Sequence, residues 1–169
     1  MKKVFKYIAI VLSLFICVFS VGCTGNDLSD ISSLPNYALY DTVSLDNLSF
    51  TPVEIAQVPP SSEAVLSAKD GNVFFIVKLD VKNNSEEEAI ISSLGMFSAY
   101  ADGKKVDLSI KAYAALNNVS QLDGSIAPNE TKTGHFITEV PEDWQTLELV
   151  IKSSVLSSNR ACFTFYQQI

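Results

Sequence analysis

Apolar residues recur at every second position from 73 to 82: Val73, Phe75, Val77, Leu79 and Val81 share one side, while the other turns polar at Lys78, Asp80 and Lys82. A period of two puts alternate side chains on opposite faces of an extended chain, so this stretch predicts a strand with one face in a core and the other partly in water. Asn83-Asn84-Ser85 then supplies turn chemistry. Residues 48–58 predict another strand, interrupted by Pro52; lacking an N–H, proline is tolerated at an edge or a bulge, and an edge strand is the expectation. Asp102-Gly103 suits the positive dihedrals of a tight hairpin turn and is expected to join strands at 97–101 and 106–110. A loop around Asp123-Gly124 and Pro128-Asn129 follows, then alternation resumes over 131–140. Pro141-Glu142-Asp143 turns the chain toward Leu147, Leu149 and Ile151, which share a face, and 161–166 sets Phe163 and Phe165 against Cys162, Thr164 and Tyr166. Residues 94–100 and 111–122 have room for a short helical turn, yet nowhere do apolar residues recur at three and four over a full helix length.

About seven short strands separated by turns predict an all-β fold of two antiparallel sheets packed face to face. Phe75, Val77, Leu79, Phe97, Phe136, Leu149, Phe163 and Phe165 are the expected core. Each large side chain buried there is worth about 1.5–3 kcal/mol, which lets packing replace an inter-sheet disulfide.

The first 23 residues are of another kind. Lys2, Lys3 and Lys6 form a cationic start, residues 7–21 an apolar run short for a permanent span, and Gly22-Cys23 closes it. This resembles a bacterial lipoprotein signal, which implies cleavage before Cys23 and a diacylglyceryl group on its thiol. Ser20 stands where such signals usually carry Leu. An ordinary signal peptide or an uncleaved anchor would equally send the remainder out of the cytoplasm. The expected organisation is a signal at 1–22, a tether at 23–46 that is rich in Asn, Asp and Ser, and a domain at 47–169. The expected address is the extracellular face of the cell membrane. Tyr37, Leu39 and Tyr40 offer some local packing within the tether.

The order of motifs carries a resemblance across about residues 48–166. Gly71 leads into the 73–82 strand and Asn83-Asn84-Ser85; an aromatic precedes Asp102-Gly103-Lys104; Leu122 to Pro128 leads into a Gly-containing strand; Val140-Pro141 and Leu147-Glu148-Leu149 follow. The chain resembles the immunoglobulin-like domains of Gram-positive lipoproteins of unknown function, similar in fold to the mycobacterial immunoprotective extracellular antigen. Ala127 replaces a glycine often found in that family before Pro128. The resemblance implies an immunoglobulin-like antiparallel β-sandwich and assigns no functional residue.

Charge and cysteines narrow the chemistry. The net charge is −7, and the leader carries three lysines and no carboxylate, so the exported part is more acidic still. Without runs of Lys or Arg, nucleic acid and anionic headgroups are poor expected partners. Cys17 leaves with the leader and Cys23 is assigned to lipid, so Cys162 stands alone in an apolar run, where a buried unreactive thiol is expected.

Candidate chemistry is sparse, and neither a catalytic residue nor a cofactor or metal site is assigned. His135 is the only histidine; a zinc site would need carboxylates to complete it, and no Gly-x-Ser-x-Gly elbow accompanies it for a triad. It reads as a strand-surface residue. Glu86-Glu87-Glu88 lacks the spacing and glycine of a calcium loop and reads as a solvated turn. Trp144, Glu142 and Asp143 form the binding candidate: an aromatic beside two carboxylates on an end loop, with a partly buried end cap as the other reading. Asn47, Asn83, Asn118 and Asn129 match glycan-acceptor patterns through turn composition. The expected function is a non-catalytic surface lipoprotein, a binding or adhesion module for a protein or envelope component. The alternatives are an envelope hydrolase with a shallow carboxylate site, which requires a hollow uniting a carboxylate with His135, and an assembly protein that pairs through its Pro52 edge strand.

Overall fold

Each alternating stretch becomes a strand. In the computed structural model, which describes residues 31–60 and 66–167, the strands run in chain order β1 (Asn36–Tyr37), β2 (Val43–Leu45), β3 (Leu48–Val58), β4 (Asn72–Asn83), β5 (Ala89–Ile91), β6 (Phe97–Ala101), β7 (Lys104–Val106), β8 (Gly124–Ile126), β9 (Thr131–Pro141), β10 (Thr146–Lys152) and β11 (Arg160–Tyr166). Sheet one is ordered β1-β11-β10-β6-β7 and sheet two β2-β3-β4-β9, with β5-β8 as a separate small ladder. Pairing is antiparallel except for β1 on β11. The architecture is the expected β-sandwich.

The inward sides of the two large sheets form one core. β4 gives Val73, Phe75, Val77, Leu79 and Val81, and β10 gives Leu147, Leu149 and Ile151. Aromatic rings bridge the layers: Phe75 meets Phe165 at 5.9 Å, Phe50 meets Phe97 at 6.2 Å, and Phe97 stacks on Phe136 at 5.9 Å. All eight expected core residues are in this cluster. Ile91 and Ile126, from β5 and β8, join it.

Four boundaries differ from the sequence expectation. The tether of 23–46 is too long at its C-terminal end, because residues 36–37 and 43–45 are strands. Ile31 is buried against the outer face of sheet one, and Tyr37 packs on Phe163 at 5.8 Å. Segments of two or three residues are too short to display a period. The strand expected at 106–110 begins at Lys104 and ends at Val106. Asp102 (φ 47) and Gly103 (φ 74) make a two-residue turn, so pairing restarts at once, and Ser109 then caps a helix at Ile110–Ala115. Pro52 does mark a bulge, between Pro52 and Glu54. β2 pairs with β3 up to Phe50, and Tyr40 N–H donates to Pro52 O at 2.9 Å, so β3 is an edge only beyond Pro52. The loop at 123–129 contains β8. The two short helical regions appear as Ser93–Met96 and Ile110–Ala115.

Candidate functional site

The outward side chains of sheet two build the one surface where His135 meets a carboxylate among the described residues. Register places Glu54 of β3, Lys78 of β4 and His135 of β9 in one row across three strands. The adjacent row is Ala56, Ile76 and Ile137. Phe74 and Ile137 are buried although they face away from the main core, because helix Ile110–Ala115 lies over them with Ala112 and Tyr113. The chain leaving that helix then runs back along β9. Asn118 adopts φ 62, His135 N–H donates to Ser120 O at 2.8 Å, and Gln121 bridges to His135 in parallel. A hollow of about 250 Å³ results, with Glu54, Lys78, His135 and Asn118 as its polar wall and Ala56, Ile76 and Val119 as its apolar floor.

The polar groups are oriented by the backbone. Lys78 Nζ lies 3.7 Å from Glu54 Oε2, both partly exposed, so their attraction is weak and leaves both available to a ligand. His135 Nδ1 lies 3.1 Å from Ser120 N and 3.2 Å from Ser120 O, so the Ser120 backbone holds the ring whichever nitrogen carries its proton. Tyr113 O–H donates to His135 O at 2.6 Å, fixing the helix above the row, and burial pushes its phenol above the ordinary range. Glu139, beyond the hollow, accepts the Lys69 N–H at 2.7 Å and Asn72 Nδ2 at 3.2 Å, with Lys111 Nζ 3.2 Å away. Burial raises this carboxyl, and those three donors outweigh it, holding the group below the usual carboxylate range.

Chemically the row offers an acceptor, a cation and an imidazole on a rigid platform with an apolar floor, a set suited to hydrogen-bonding a polar ligand that has one apolar face. Among the described residues, the His135 ring hydrogen-bonds the Ser120 backbone. Among the described residues, no three of His, Cys, Asp and Glu gather as metal ligands.

The other sequence candidates lie elsewhere. Cys23 and the whole leader fall outside the described residues. Trp144 is 1% exposed, edge-on to Phe75 at 5.0 Å, with Nε1 donating to Gln57 Oε1 at 3.3 Å. The ring is thus buried at the end of the sandwich, with almost none of its surface exposed. Glu142 and Asp143 are exposed beside it, at the end of the sandwich, away from His135. Cys162 is free and buried, and burial pushes its thiol up to about 11. Glu86, Glu87 and Glu88 are exposed in a turn. Glu54, Lys78 and Asn118 were not singled out from sequence as partners of His135; only the strand register reveals the row.

Comparison with known proteins fits this architecture. Residues 37–161 match the domain of unknown function DUF4352. The chain belongs to that family. The match begins inside the expected tether, as the folded β1 and β2 require. Among solved structures, the candidate lipoprotein ycdA of Bacillus subtilis superposes with a TM-score of 0.60 at 16% identity over 74% of this chain. This chain spans 38% of ycdA. An uncharacterised β-sandwich protein of Clostridium difficile gives 0.51 at 21% identity, covering 78% of this chain and 93% of the other. The secreted protein MPT63 of Mycobacterium tuberculosis gives 0.51 at 12% identity, covering 80% and 99%. No curated protein sequence matches. The structural similarities establish the β-sandwich fold.

Proposed function

We propose that this DUF4352 protein is an exported, lipid-anchored binding module of the bacterial envelope, held outside the cell through Cys23 and presenting the Glu54–Lys78–His135 row to a protein or wall component. The leader supports the address, and the candidate lipoprotein and secreted protein sharing the fold agree with it. The observation that carries the binding reading is the row itself: three polar side chains of different character, aligned on adjacent strands beside an apolar floor. Strands hold side chains more firmly than loops do, which lowers the ordering cost of recognition.

The test uses residues 24–169 as bait against whole-envelope extract. The Glu54→Gln/His135→Ala double variant alters partly exposed groups, so its melting temperature should stay within a degree or two of the parent. It should nevertheless lose the captured component; an unchanged captured set at unchanged stability rejects the hollow as the binding site. An envelope hydrolase is the second reading, favoured by the meeting of Glu54 and His135 in one hollow. Turnover of an envelope substrate that disappears in the double variant would replace binding with catalysis.

A further inference from the structure

Sheet two has two long edges, and the fold closes one of them. Along β9, His135 N–H donates to Ser120 O at 2.8 Å, Ile137 O accepts the Ser109 N–H at 2.7 Å, and Leu108 bridges to Thr138. On the other side, β2 and Tyr40 cover β3 only as far as Pro52. Register settles what is left open beyond it. Paired residues of an antiparallel ladder exchange both backbone bonds or neither, and the two kinds alternate along the strands. His135 and Ile137 turn their backbone groups away from β4, so their β4 partners Lys78 and Ile76 turn toward β3 and bond there to Ala56 and, past the bulge, Glu54. The N–H and C=O of Ile55 and Gln57 therefore point to the open side, where no partner meets them among the described residues. An edge in this state is a template for another strand, and proteins close theirs with charge, proline or brevity. The short edge strand β7 has two lysines in three residues. Glu54–Val58 has one charged residue, at its end.

A second observation lies on either side of the same five residues. Successive side chains of a strand go to opposite faces, and here each face has a hollow. Glu54 and Ala56 line the outer one, beside Lys78 and His135. Ile55 and Gln57 line another of about 220 Å³ that opens between the sheets, with Phe75 and Trp144 at its back and Tyr166, 66% exposed, on the facing strand β11. β1 pairs with β11 only at Cys162 and Phe163, which leaves Tyr166 uncovered. A strand laid beside Glu54–Val58 sends its side chains into the two hollows by turns. The inner hollow is mostly apolar and aromatic. The outer one holds Glu54 beside Lys78, an acceptor and a donor without net charge, and its counterpart is a carboxamide, which both donates and accepts.

We infer, on the reading of the Glu54–Lys78–His135 row as a binding site, that its partner is a polypeptide captured as an extended segment, which pairs antiparallel with Glu54–Val58. The residues of that segment opposite Ile55 and Gln57 are apolar and enter the hollow between the sheets. The residue opposite Ala56 carries a carboxamide that reaches Glu54 and Lys78. Antiparallel addition continues the pairing of sheet two and gives all four open backbone groups of Ile55 and Gln57 a hydrogen bond. Main-chain bonds hold the segment, and the hollows select its side chains.

The probe is the heptapeptide Gly-Leu-Gln-Leu-Gln-Leu-Gly with fluorescein at its amino end, titrated against residues 24–169, which contain every described strand and all three core clusters. Anisotropy should rise to saturation. Amide exchange at Ile55 and Gln57, fast in the free protein, should slow by at least about tenfold, while Ala56, already bonded to β4, changes little. Methylating the leucine nitrogens, which face β3 in this register, should weaken binding by about tenfold or more; methylating the glutamine nitrogens should leave it within about twofold. Ile55→Pro removes an edge N–H outside the β4 ladder and should also weaken binding by about tenfold, with the peptide series deciding if that variant is unstable. Equal effects of the two methylation patterns, or unaltered exchange at Ile55 and Gln57 at saturation, overturns the inference. So does slow exchange at both amides in the free monomer, which would mean that the chain covers its own edge, or a dimer of the free protein abolished by Ile55→Pro, which would seat a second copy there. If Glu54→Gln/His135→Ala loses its envelope component while Ile55→Pro keeps it, the row stands as the site and strand addition fails. If the peptide binds as described while the double variant keeps its captured set, strand addition stands and the row fails.

Discussion

Asn83 shows how a single side chain closes one end of the sandwich. It is fully buried, its amide donates to the carbonyls of Glu87 at 2.7 Å and Ile126 at 3.0 Å, and its Oδ1 accepts from Ser85 N–H and Oγ. As part of an acceptor pattern it reads as an exposed turn residue; the structure leaves no room there for a glycan. Asn83→Ala strands those partners away from water and should cost about 3 kcal/mol, measured as a lower urea midpoint at unchanged slope. Trp144 belongs with it. A sequence cannot distinguish an exposed aromatic from one that caps a core, because both follow a turn; Phe75 and Gln57, far away in the chain, decide the matter. Trp144→Ala should therefore destabilise by about 3–5 kcal/mol, whereas an exposed anchor would leave the melting temperature nearly unchanged. Gly134 has a steric reason: an added Cβ would meet Leu122 side-chain and backbone atoms at 2.9–3.0 Å. Gly134→Ala should cost about 1–3 kcal/mol, read from the same denaturation series.

At the scale of elements, helix Ile110–Ala115 is held on sheet two by apolar contact and by one carboxylate. Lys111 pairs with Glu139 and lies 5.4 Å over the Phe74 ring, while Glu139 also accepts from Lys69 and Asn72. Because folding lowers the Glu139 pKa, its ionised form contributes stability that is fully present above the unfolded value of about 4.3 and is lost as pH falls through the lower folded value. Glu139→Gln should melt below the parent at neutral pH, with the gap closing in acid; a constant gap would assign the loss to packing. Long strands were legible because β3, β4 and β9 carry ten or more residues of alternating pattern or a proline that marks its own bulge. β1, β2, β5 and β8 were not, since two or three residues hold no period and exist only through their partners. The candidate site was half legible for the same reason. His135 stood out as the sole histidine, but its row with Lys78 and Glu54 depends on register between strands far apart in sequence.

For the whole molecule, the decisive feature is how the N-terminal segment closes on the fold. Ile31 and Leu34 cover Tyr100, Val150 and Cys162; β1 pairs with β11; the Tyr37 ring packs, tilted, on Phe163; and Thr164 Oγ1 donates to Asn36 Oδ1 at 2.8 Å. If the protein is pulled through an N-terminal anchor, this clasp takes the load first. It also hides the thiol of Cys162, which burial has pushed up to about 11. The thiol can therefore report on the clasp. A chain beginning at Asp41 should lose about 2–4 kcal/mol of stability, from the apolar area that Ile31, Leu34 and Tyr37 bury. Its Cys162 should react with a thiol reagent at mildly alkaline pH at least about tenfold faster than in the chain beginning at Thr24, because reaction then needs no local opening. If both chains reacted at one rate, residues 31–40 would be a tether after all, and the cover over Cys162 would have to come from sheet one alone.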